Sequence, residues 1–329
     1  MGGEVHHQGA TRLKIAALSL LASLLTLSAC GGGGGDPVAS VAWKPAVHRG
    51  GSNFNWYAGP CDDWWDNHHT IKRFREDDTI NQLSAMYTAG QRSIGISVFY
   101  SDTAPESTGS HVGIGAGAFP DWFVDNLLRT YGLAKQIGFE RFVLRFHPVG
   151  DYGRSVLTAD QAPAAHNAMV NLVATIEDRL GILPYTNLCN ECIEEDINPE
   201  FPAALWRLAH DDPDFGGRQF IGVTGGRFTT SDLEAVYGKH PPKVHGITLY
   251  NGPHSAALDR LLAFADRPII VDESYFNSAE TAQSLRRGTF AVGKPVLFVT
   301  QWPLSEAKAC KNVDTLPLLD YGEWIKAGF

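Results

Sequence analysis

Two glutamates lie at the ends of segments with the composition of buried strands, and their side chains suit acid–base and nucleophilic chemistry. Glu191 ends the segment Thr-Asn-Leu-Cys-Asn-Glu, and Glu273 ends the segment Pro-Ile-Ile-Val-Asp-Glu. Two carboxyl groups in one pocket can divide the roles of general acid/base and nucleophile between them. The pair therefore predicts an enzyme active site, provided that the fold brings both side chains to one pocket.

Each glutamate also has a simpler interpretation. A glutamate at a strand end is commonly a solvated loop residue, and the acidic residues at 194–196 show that the loop after Glu191 is acidic as a whole. Asp272 competes with Glu273, because side chains alternate along a strand and the pattern alone leaves open which of the two faces inward. The choice depends on the elements that position these residues.

Apolar, β-branched or aromatic runs alternate with amphipathic segments eight times along the chain. This order is typical of parallel strands joined by helices. The predicted strands are 46–54, 93–100, 141–147, 182–190, 219–224, 244–250, 268–273 and 295–302. The predicted helices are 79–89, 121–137, 164–180, 201–209, 231–237, 255–265, 279–289 and 319–326.

Eight strand–helix units predict an α/β fold, a single (β/α)8 TIM barrel over residues 46–329. An open doubly wound sheet would carry a Gly-rich nucleotide turn after its first strand, whereas the glycines of 113–117 follow the second strand within a surface loop. In a closed barrel the active site lies at the carboxyl ends of the strands. Strands four and seven therefore present Glu191 and Glu273 at the same mouth.

Four short motifs at these strand ends resemble clan A, a large group of retaining glycoside hydrolases built on (β/α)8 barrels. That clan has an Asn-Glu pair after strand four, a tyrosine after strand six, a glutamate after strand seven and frequently a tryptophan after strand eight. The corresponding residues here are Asn190, Glu191, Tyr250, Glu273 and Trp302. The resemblance covers the chain from about residue 46 onward.

The resemblance implies hydrolysis of a β-linked polysaccharide or oligosaccharide with retention, without metal or cofactor. Glu191 would be the acid/base and Glu273 the nucleophile, and Glu191 must be protonated at the start of the cycle. Asn190 would hydrogen-bond the sugar hydroxyl beside the reacting carbon, and Tyr250 would hold Glu273 in place. Loop shape determines the sugar, the linkage and endo or exo action.

The sequence departs from the clan at two positions. The arginine that usually ends strand two is missing, since that strand ends in Val-Phe-Tyr at 98–100, so its role passes to Arg145 on strand three or is absent. The residue after Glu191 is Cys192 instead of the usual proline. These departures indicate a divergent branch, or one in which the catalytic apparatus has been lost.

Further strand-end side chains are candidates for substrate contacts. Arg145 and His147 end strand three, and Asn55 and Trp56 follow strand one. The flat rings of Trp56 and Trp302 suit stacking on the apolar faces of sugars. The alternatives are loop packing over the barrel mouth for the tryptophans, and pairing with strand-end carboxylates for Arg145 and His147.

The first thirty residues predict an export signal. Arg12 and Lys14 precede an apolar run at 15–27 that is too short to span a bilayer stably. The run ends in Leu-Ser-Ala-Cys, which resembles the lipobox of bacterial lipoproteins, so we expect lipidation at Cys30. The alternative is an ordinary cleaved signal with a chance cysteine. Residues 31–45 would be a flexible Gly-rich tether, holding the protein at the bacterial cell envelope, on the periplasmic or surface face of the outer membrane.

The net charge of the chain restricts its possible partners. The chain has 27 Lys and Arg against 36 Asp and Glu, a net charge of −9. An acidic surface repels phosphate backbones, so we expect no nucleic-acid partner, and we expect a monomer whose only membrane contact is the lipid anchor.

Four cysteines follow Cys30 and allow three pairings in an oxidising compartment. We expect Cys61 to pair with Cys310, because they follow the first and last strands, which are neighbours in a closed barrel. Cys189 and Cys192 then bridge locally or stay reduced. A zinc site at this pair is disfavoured, since no second Cys/His pair at metal spacing accompanies it.

Two other classes of function compete with a glycoside hydrolase. One is an envelope lipoprotein that binds polysaccharide without cleaving it. The other is a barrel enzyme with different chemistry, such as deacetylation or lyase cleavage, which would require a metal cluster or a different set of bases.

Overall fold

Eight parallel strand positions alternate with eight helices in the computed structural model, which describes residues 50–57, 69–101, 112–115, 117–148, 157–250, 254–302 and 320–329. The strands are β1 (Gly51–Asn53), β2 (Ser93–Ser101), β3 (Arg141–Pro148), β4 (Tyr185–Asn187), β5 (Gln219–Phe220 and Val223–Thr224), β6 (His245–Leu249), β7 (Ile269–Ser274) and β8 (Thr300–Gln301). The helices are α1 (Glu76–Thr88), α2 (Asp121–Ile137), α3 (Ala162–Leu180), α4 (Glu200–Ala209), α5 (Thr230–Tyr237), α6 (His254–Phe264), α7 (Ala279–Ala291) and α8 (Gly322–Ala327). A two-residue strand, Val112–Gly113, pairs with the end of β2, and 3-10 turns cover Ala159–Gln161 and Pro213–Phe215.

Parallel pairing closes these strands into a ring. β1 pairs with both β8 and β2, and the order continues through β3 and β4 to the first segment of β5. The second segment of β5 pairs with β6, and β6 pairs with β7. A bridge between Val271 and Val299 joins β7 to the residue before β8. The predicted single (β/α)8 barrel is confirmed.

Side chains alternate along each strand between the core beneath the helices and the inside of the barrel. On β3 the residues Phe142, Leu144 and Phe146 belong to the large apolar core beneath the helices, whereas Val143 belongs to a separate cluster inside the barrel. That inner cluster consists of Val143, Phe220, Val244, Ile270 and Phe298. It fills the amino-terminal part of the barrel and leaves no pore there.

One glycine makes the inner cluster possible. A Cβ on Gly246 of β6 would lie 1.8 Å from the ring of Phe220. The ring therefore occupies space that only a glycine at this position leaves open.

The inward-facing residues become polar toward the carboxyl ends of the strands. Two positions beyond Val143, the inward residue of β3 is Arg145, and the neighbouring inward residue of β4 is Asn187. Both side chains are fully buried. Buried polar side chains are costly unless they are hydrogen-bonded, so the partners of these two side chains decide whether the layer can be stable.

The element boundaries agree with the predictions for the helices better than for the strands. α2 begins and ends at the predicted residues 121 and 137, where Gly138 adopts the left-handed conformation that ends helices. The predicted strand 182–190 is only Tyr185–Asn187, because the chain turns at residues 188–193.

Four predicted features of the sequence lie outside the described residues. They are the export signal at 1–30, lipidation at Cys30, the glycine tether, and the Cys61–Cys310 bridge. Within the described ranges, no helix combines the length and the apolar character needed to cross a bilayer.

Candidate active site at the carboxyl end of the barrel

Glu273 lies at the end of β7 with both carboxylate oxygens engaged. Its Oε2 accepts a hydrogen bond from Arg145 Nη1 at 3.2 Å, and its Oε1 accepts one from the Tyr250 hydroxyl. The side chain is 7% exposed. Tyr250 therefore contacts Glu273 as the resemblance implied, and the carboxylate is held from two sides.

A β-bulge in β7 explains why Glu273 faces the barrel. Ile247 of β6 pairs with Val271, but the next residue, Thr248, pairs with Glu273. Asp272 is thus an extra residue in β7, and a bulge of this kind changes the direction of the side chains that follow it. Without it, alternation would turn Glu273 toward the helices, on the side where Val271 lies.

Asp272 and Glu273 therefore both face the inside of the barrel, a point that the alternation of the sequence left open. Asp272 is fully buried, and its Oδ2 accepts a hydrogen bond of 2.6 Å from Asn187 Nδ2 on β4. Burial raises the pKa of Asp272 to about 6, and the negative charge of Glu191 acts in the same direction. The positive charge of Arg145 and the hydrogen bond from Asn187 oppose this rise.

Arg145 joins these carboxyl groups into one cluster. Its Nη1 donates to the Asp272 carbonyl oxygen as well as to Glu273, and its Nη2 donates to Ser97 Oγ at 2.8 Å. The guanidinium is fully buried. We expected Arg145 to contact substrate, but the structure shows instead the carboxylate pairing that was the alternative.

Gly95 on β2 leaves space for the side chains of this cluster. A Cβ on Gly95 would lie 2.1 Å from Asn53 Oδ1 and 3.8 Å from Arg145 Nη2. The arginine thus lies over β2 although its backbone belongs to β3. It puts a positive charge next to Glu273 in a chain whose strand two ends without an arginine.

Asn187 was missed in the sequence and connects the two glutamate-bearing segments. Its Nδ2 donates to Asn190 Oδ1 at 2.8 Å as well as to Asp272, and its Oδ1 accepts from Gly222 N at 2.9 Å. The signal was available in the alternation of β4, because Asn187 shares the inward face with Tyr185.

Asn190 retains one unused hydrogen-bond donor. The side chain is fully buried, and its Nδ2 has no hydrogen-bond partner among the described residues. Buried donors are normally satisfied, so an unsatisfied one next to candidate catalytic residues is suited to a ligand hydroxyl. This geometry is compatible with the role that the resemblance implied for Asn190.

Glu191 follows in an unusual backbone conformation. Its φ is 54°, in the left-handed region that residues other than glycine rarely adopt. It lies between Cys189 and Cys192, which form a disulfide, so of the two states left open in the sequence the structure has the bridged one. The side chain is half-buried, and its charge reaches Asp272. Asp272 is therefore next to Glu273 in the chain, and its pKa is also affected by the charge of Glu191.

An aromatic pair lies beside these acids. Trp302 is half-buried, and its backbone N–H donates to the Ser274 carbonyl at 2.7 Å. Trp56 packs edge-on against Trp302, with ring centroids 5.1 Å apart, and is fully buried. Trp302 keeps an accessible surface, whereas Trp56 supports it and does not offer a ring face for the expected sugar contact.

Two other expected substrate contacts have different surroundings. Asn55 is fully buried, and its Oδ1 accepts from Ser97 N at 2.7 Å, so it joins the segment after β1 to β2. Its Nδ2 has no hydrogen-bond partner among the described residues, so its contact with substrate stays a prediction. His147 is half-buried, with its ring 4.7 Å from that of Phe99, and its contact with substrate stays a prediction.

One group of side chains in the described ranges has metal-ligand composition, and it lies away from this mouth. The ligand atoms of His210, Asp211 and His240 lie within 4.8 Å of one another. His210 follows α4 and His240 follows α5, so both precede strands at the amino-terminal end of the barrel. The group takes no part in the site.

Comparison with known proteins gives matches in structure only: no family model and no curated protein matches the sequence. A GH5_18 protein from Streptomyces cattleya in complex with GlcNAc is 15% identical, with a TM-score of 0.54 over 79% of this chain and 71% of that one. A variant from the same organism, in complex with Manβ1-4GlcNAc, is 14% identical, with a TM-score of 0.54 over 83% and 75% of the two chains. A GH5-4 broad-specificity endoglucanase from Clostridium longisporum is 10% identical, with a TM-score of 0.53 over 85% and 94%. What the chain shares with these proteins is the (β/α)8 fold.

Proposed function

We propose that the protein is a retaining glycoside hydrolase that acts on β-linked glycans, with Glu191 as acid/base and Glu273 as nucleophile. The observation that carries the proposal is the bulge in β7, which turns Glu273 into the barrel and between Arg145 and Tyr250. A stable core does not need a buried carboxylate held in this way, whereas a nucleophile that must attack in one direction does. Glu191 ends the opposite segment of the same mouth.

In the first step Glu191 donates its proton to the glycosidic oxygen while a Glu273 oxygen attacks the anomeric carbon. The bond from that carbon to the leaving oxygen breaks, and a covalent glycosyl ester forms on Glu273. Arg145 and Tyr250 fix the orientation of the attacking carboxylate, which lowers the entropic cost of reaching the transition state.

In the second step the ionised Glu191 takes a proton from a water molecule. The oxygen of that water attacks the anomeric carbon from the side that the leaving group vacated, and the Glu273 ester bond breaks. Two successive inversions give a product with the anomeric configuration of the substrate.

Two neighbouring groups are suited to hold the sugar. The free Nδ2 donor of Asn190 would bind the hydroxyl next to the reacting carbon, and the accessible surface of Trp302 would pack on a sugar face. The structural neighbours support this class of substrate, because one was solved with GlcNAc and Manβ1-4GlcNAc and another is an endoglucanase.

The test compares Glu191→Gln and Glu273→Gln with wild type on β-linked aryl glycosides and a panel of β-linked polysaccharides. We expect each variant to lose about 10²–10⁴-fold in kcat on unactivated substrates. The matched control is Glu194→Gln, whose carboxylate pairs with Arg227 at 3.4 Å outside the cluster and should leave activity unchanged.

Two further measurements separate the competing functions. A 2-deoxy-2-fluoro glycoside should label the peptide that contains Glu273, and NMR of the first product should show the substrate's anomeric configuration. Wild-type activity in Glu273→Gln would remove that residue from the mechanism. A wild-type protein that binds the polysaccharides without cleaving them would favour a binding lipoprotein.

We propose in addition that the chain is exported and anchored through a lipid on Cys30, as its lipobox-like sequence suggests. Anchoring near the outer membrane would place the barrel where extracellular glycans arrive. Replacement of Cys30 by alanine should move the protein from the membrane fraction to the soluble fraction and abolish labelling with radioactive palmitate. An unchanged distribution would contradict the anchor.

A further inference from the structure

We propose that the Cys189–Cys192 disulfide is a positioning element for Glu191, which it holds in the left-handed turn that the acid/base role requires. The inference rests on the proposed function and goes beyond it, because it makes proton donation to the leaving group depend on an oxidised cysteine pair. Neither cysteine touches the reacting atoms in this scheme. Their role is to keep the Glu191 backbone in a conformation that it would otherwise leave.

The backbone of Glu191 gives the first reason. A left-handed φ is intrinsically unfavourable for a residue with a Cβ, and such residues persist only where their surroundings determine them. The usual cost of a left-handed residue with a Cβ corresponds to a population ratio of about 5- to 30-fold against it. An unrestrained turn would therefore place the Glu191 side chain elsewhere most of the time.

The disulfide is the covalent restraint that spans this residue. It joins the residue two before Glu191 to the residue after it, with their Cα atoms 5.5 Å apart. Cys189 is fully buried and Cys192 is 2% exposed, so the bridge is part of the core. A bridge across so few residues excludes extended conformations of the segment and leaves only compact turns.

Hydrogen bonds to β5 hold the two flanks of the turn. Between the two segments of β5, Gly222 N donates to the Cys189 carbonyl at 3.0 Å. The Gly222 carbonyl in turn accepts from Cys192 N at 3.1 Å and from Ile193 N at 3.2 Å. The break in β5 is thus the place where the barrel supports the turn, and the disulfide fixes the distance between the two supported flanks.

The contact between the turn and β5 is tight. A Cβ on Gly222 would lie 3.0 Å from Glu191 N and 2.4 Å from Asn187 Nδ2. The turn is therefore packed directly on the backbone of β5, and the disulfide closes it covalently. Removing the disulfide leaves the hydrogen bonds in place but permits the segment between them to relax.

The test uses two substrates that differ in their need for an acid. An unactivated β-linked oligosaccharide requires protonation of its leaving oxygen, whereas a 2,4-dinitrophenyl glycoside has a leaving group that departs without it. In the variant Cys189→Ala/Cys192→Ala we expect kcat/KM on the oligosaccharide to fall about 5- to 30-fold, following the population ratio. We expect kcat/KM on the dinitrophenyl glycoside to stay within about 3-fold of wild type, because its glycosylation step needs only Glu273.

A second readout addresses the base role of Glu191. When base catalysis is weakened, hydrolysis of the glycosyl ester becomes slow, so kcat and KM on the dinitrophenyl glycoside should fall together. Azide attacks the ester without a base and should restore kcat. A merely structural role of the disulfide would not produce this rescue.

Controls keep loss of folding separate from loss of positioning. The variant Cys61→Ala/Cys310→Ala removes the same number of cysteines elsewhere and should not change the ratio of the two activities. Wild type reduced with a phosphine gives the same comparison without substitution; reduction of Cys189 and Cys192 is verified by alkylating a separate aliquot and analysing it by mass spectrometry. Reoxidation of the unalkylated protein should restore the ratio.

Equal losses on the two substrates, or no loss on either, in both the variant and the reduced wild type would overturn the positioning role. These results would leave the proposed function intact, since wild type would still hydrolyse both substrates. A wild-type protein that hydrolyses neither would overturn the proposed function and this inference with it.

Discussion

Replacing Asp272 by asparagine should change how the stability of the protein depends on pH. The side chain is fully buried, and burial raises its pKa to about 6 from an ordinary value of 3.8. Asparagine keeps the shape and the oxygen acceptor for Asn187, but it never ionises. The comparison of Asp272→Asn with wild type therefore isolates the cost of one buried negative charge.

The size and sign of this effect follow from the two pKa values. The folded protein holds the Asp272 proton up to about pH 6, whereas the unfolded chain releases it near 3.8, so the folded state binds more protons between these values. Stability from this group is therefore present at low pH and is lost as pH rises through that window. One pKa unit equals 1.36 kcal/mol, which makes the total loss about 3 kcal/mol.

Other ionisable groups face Asp272 and are present in both proteins. They are Arg145 from β3, Glu273 on the same strand, Glu191 after β4 and Tyr237, whose pKa the Asp272 charge helps to raise. Because wild type and variant share them, their contributions largely cancel in the difference between the two free energies of unfolding.

The assay is urea unfolding, followed by tryptophan fluorescence, at pH values from 3.5 to 7. The free energy of unfolding of wild type relative to Asp272→Asn should fall by about 3 kcal/mol across this range. The matched control Asp178→Asn, on the exposed face of α3, should parallel wild type. Parallel curves for Asp272→Asn and wild type, within about 0.5 kcal/mol, would refute the reasoning, because additivity errors are of that size.

Three further substitutions test separate parts of the structure. Tyr250→Phe removes a hydrogen bond to the charged Glu273, worth about 1.5–3 kcal/mol, and should lower kcat/KM on aryl glycosides about 10- to 100-fold; an unchanged value would contradict the orienting role. Trp302→Ala should raise KM for oligosaccharides by about 10-fold or less, through loss of a stacking surface, with kcat affected less; a change in kcat alone would exclude stacking. Gly246→Ala should destabilise the fold by about 1–3 kcal/mol in thermal unfolding, since its Cβ would lie 1.8 Å from the ring of Phe220. An unchanged Tm would show that Phe220 can move aside without loss of stability.

The barrel could be predicted because each strand and helix is specified by the residues of its own segment. Each strand and helix has its own periodicity, and eight units in alternation have one closed arrangement. The helix at 121–137 shows this best, since it is bounded by Pro120 and by a glycine suited to a left-handed cap. The Asn-Glu motif and the acidic end of strand seven were also visible, because strand ends are where such barrels carry polar residues.

The parts that escaped prediction depend on contacts between distant residues. Alternation gave no answer for Asp272 and Glu273, because the bulge appears only when β7 is aligned with β6. Arg145, Asn55 and Trp56 were expected at the substrate surface, and their burial results from neighbours on other strands. A sequence pattern describes which residue types reach a face but not which neighbour they meet there.

The extra residue in β7 also has a consequence for how such a site can arise or disappear. In a regular strand, position 273 would fall on the face that packs against helices, where a glutamate would be buried without a charged partner. Deletion of Asp272 would leave the hydrophobic part of β7 and the pairing of Thr248 with Glu273 in place. The same deletion would remove the buried acid that lies next to Arg145. A barrel of this kind can therefore gain or lose a buried acid beside Glu273, the proposed nucleophile, by the insertion or deletion of a single codon, with no exchange of any other side chain.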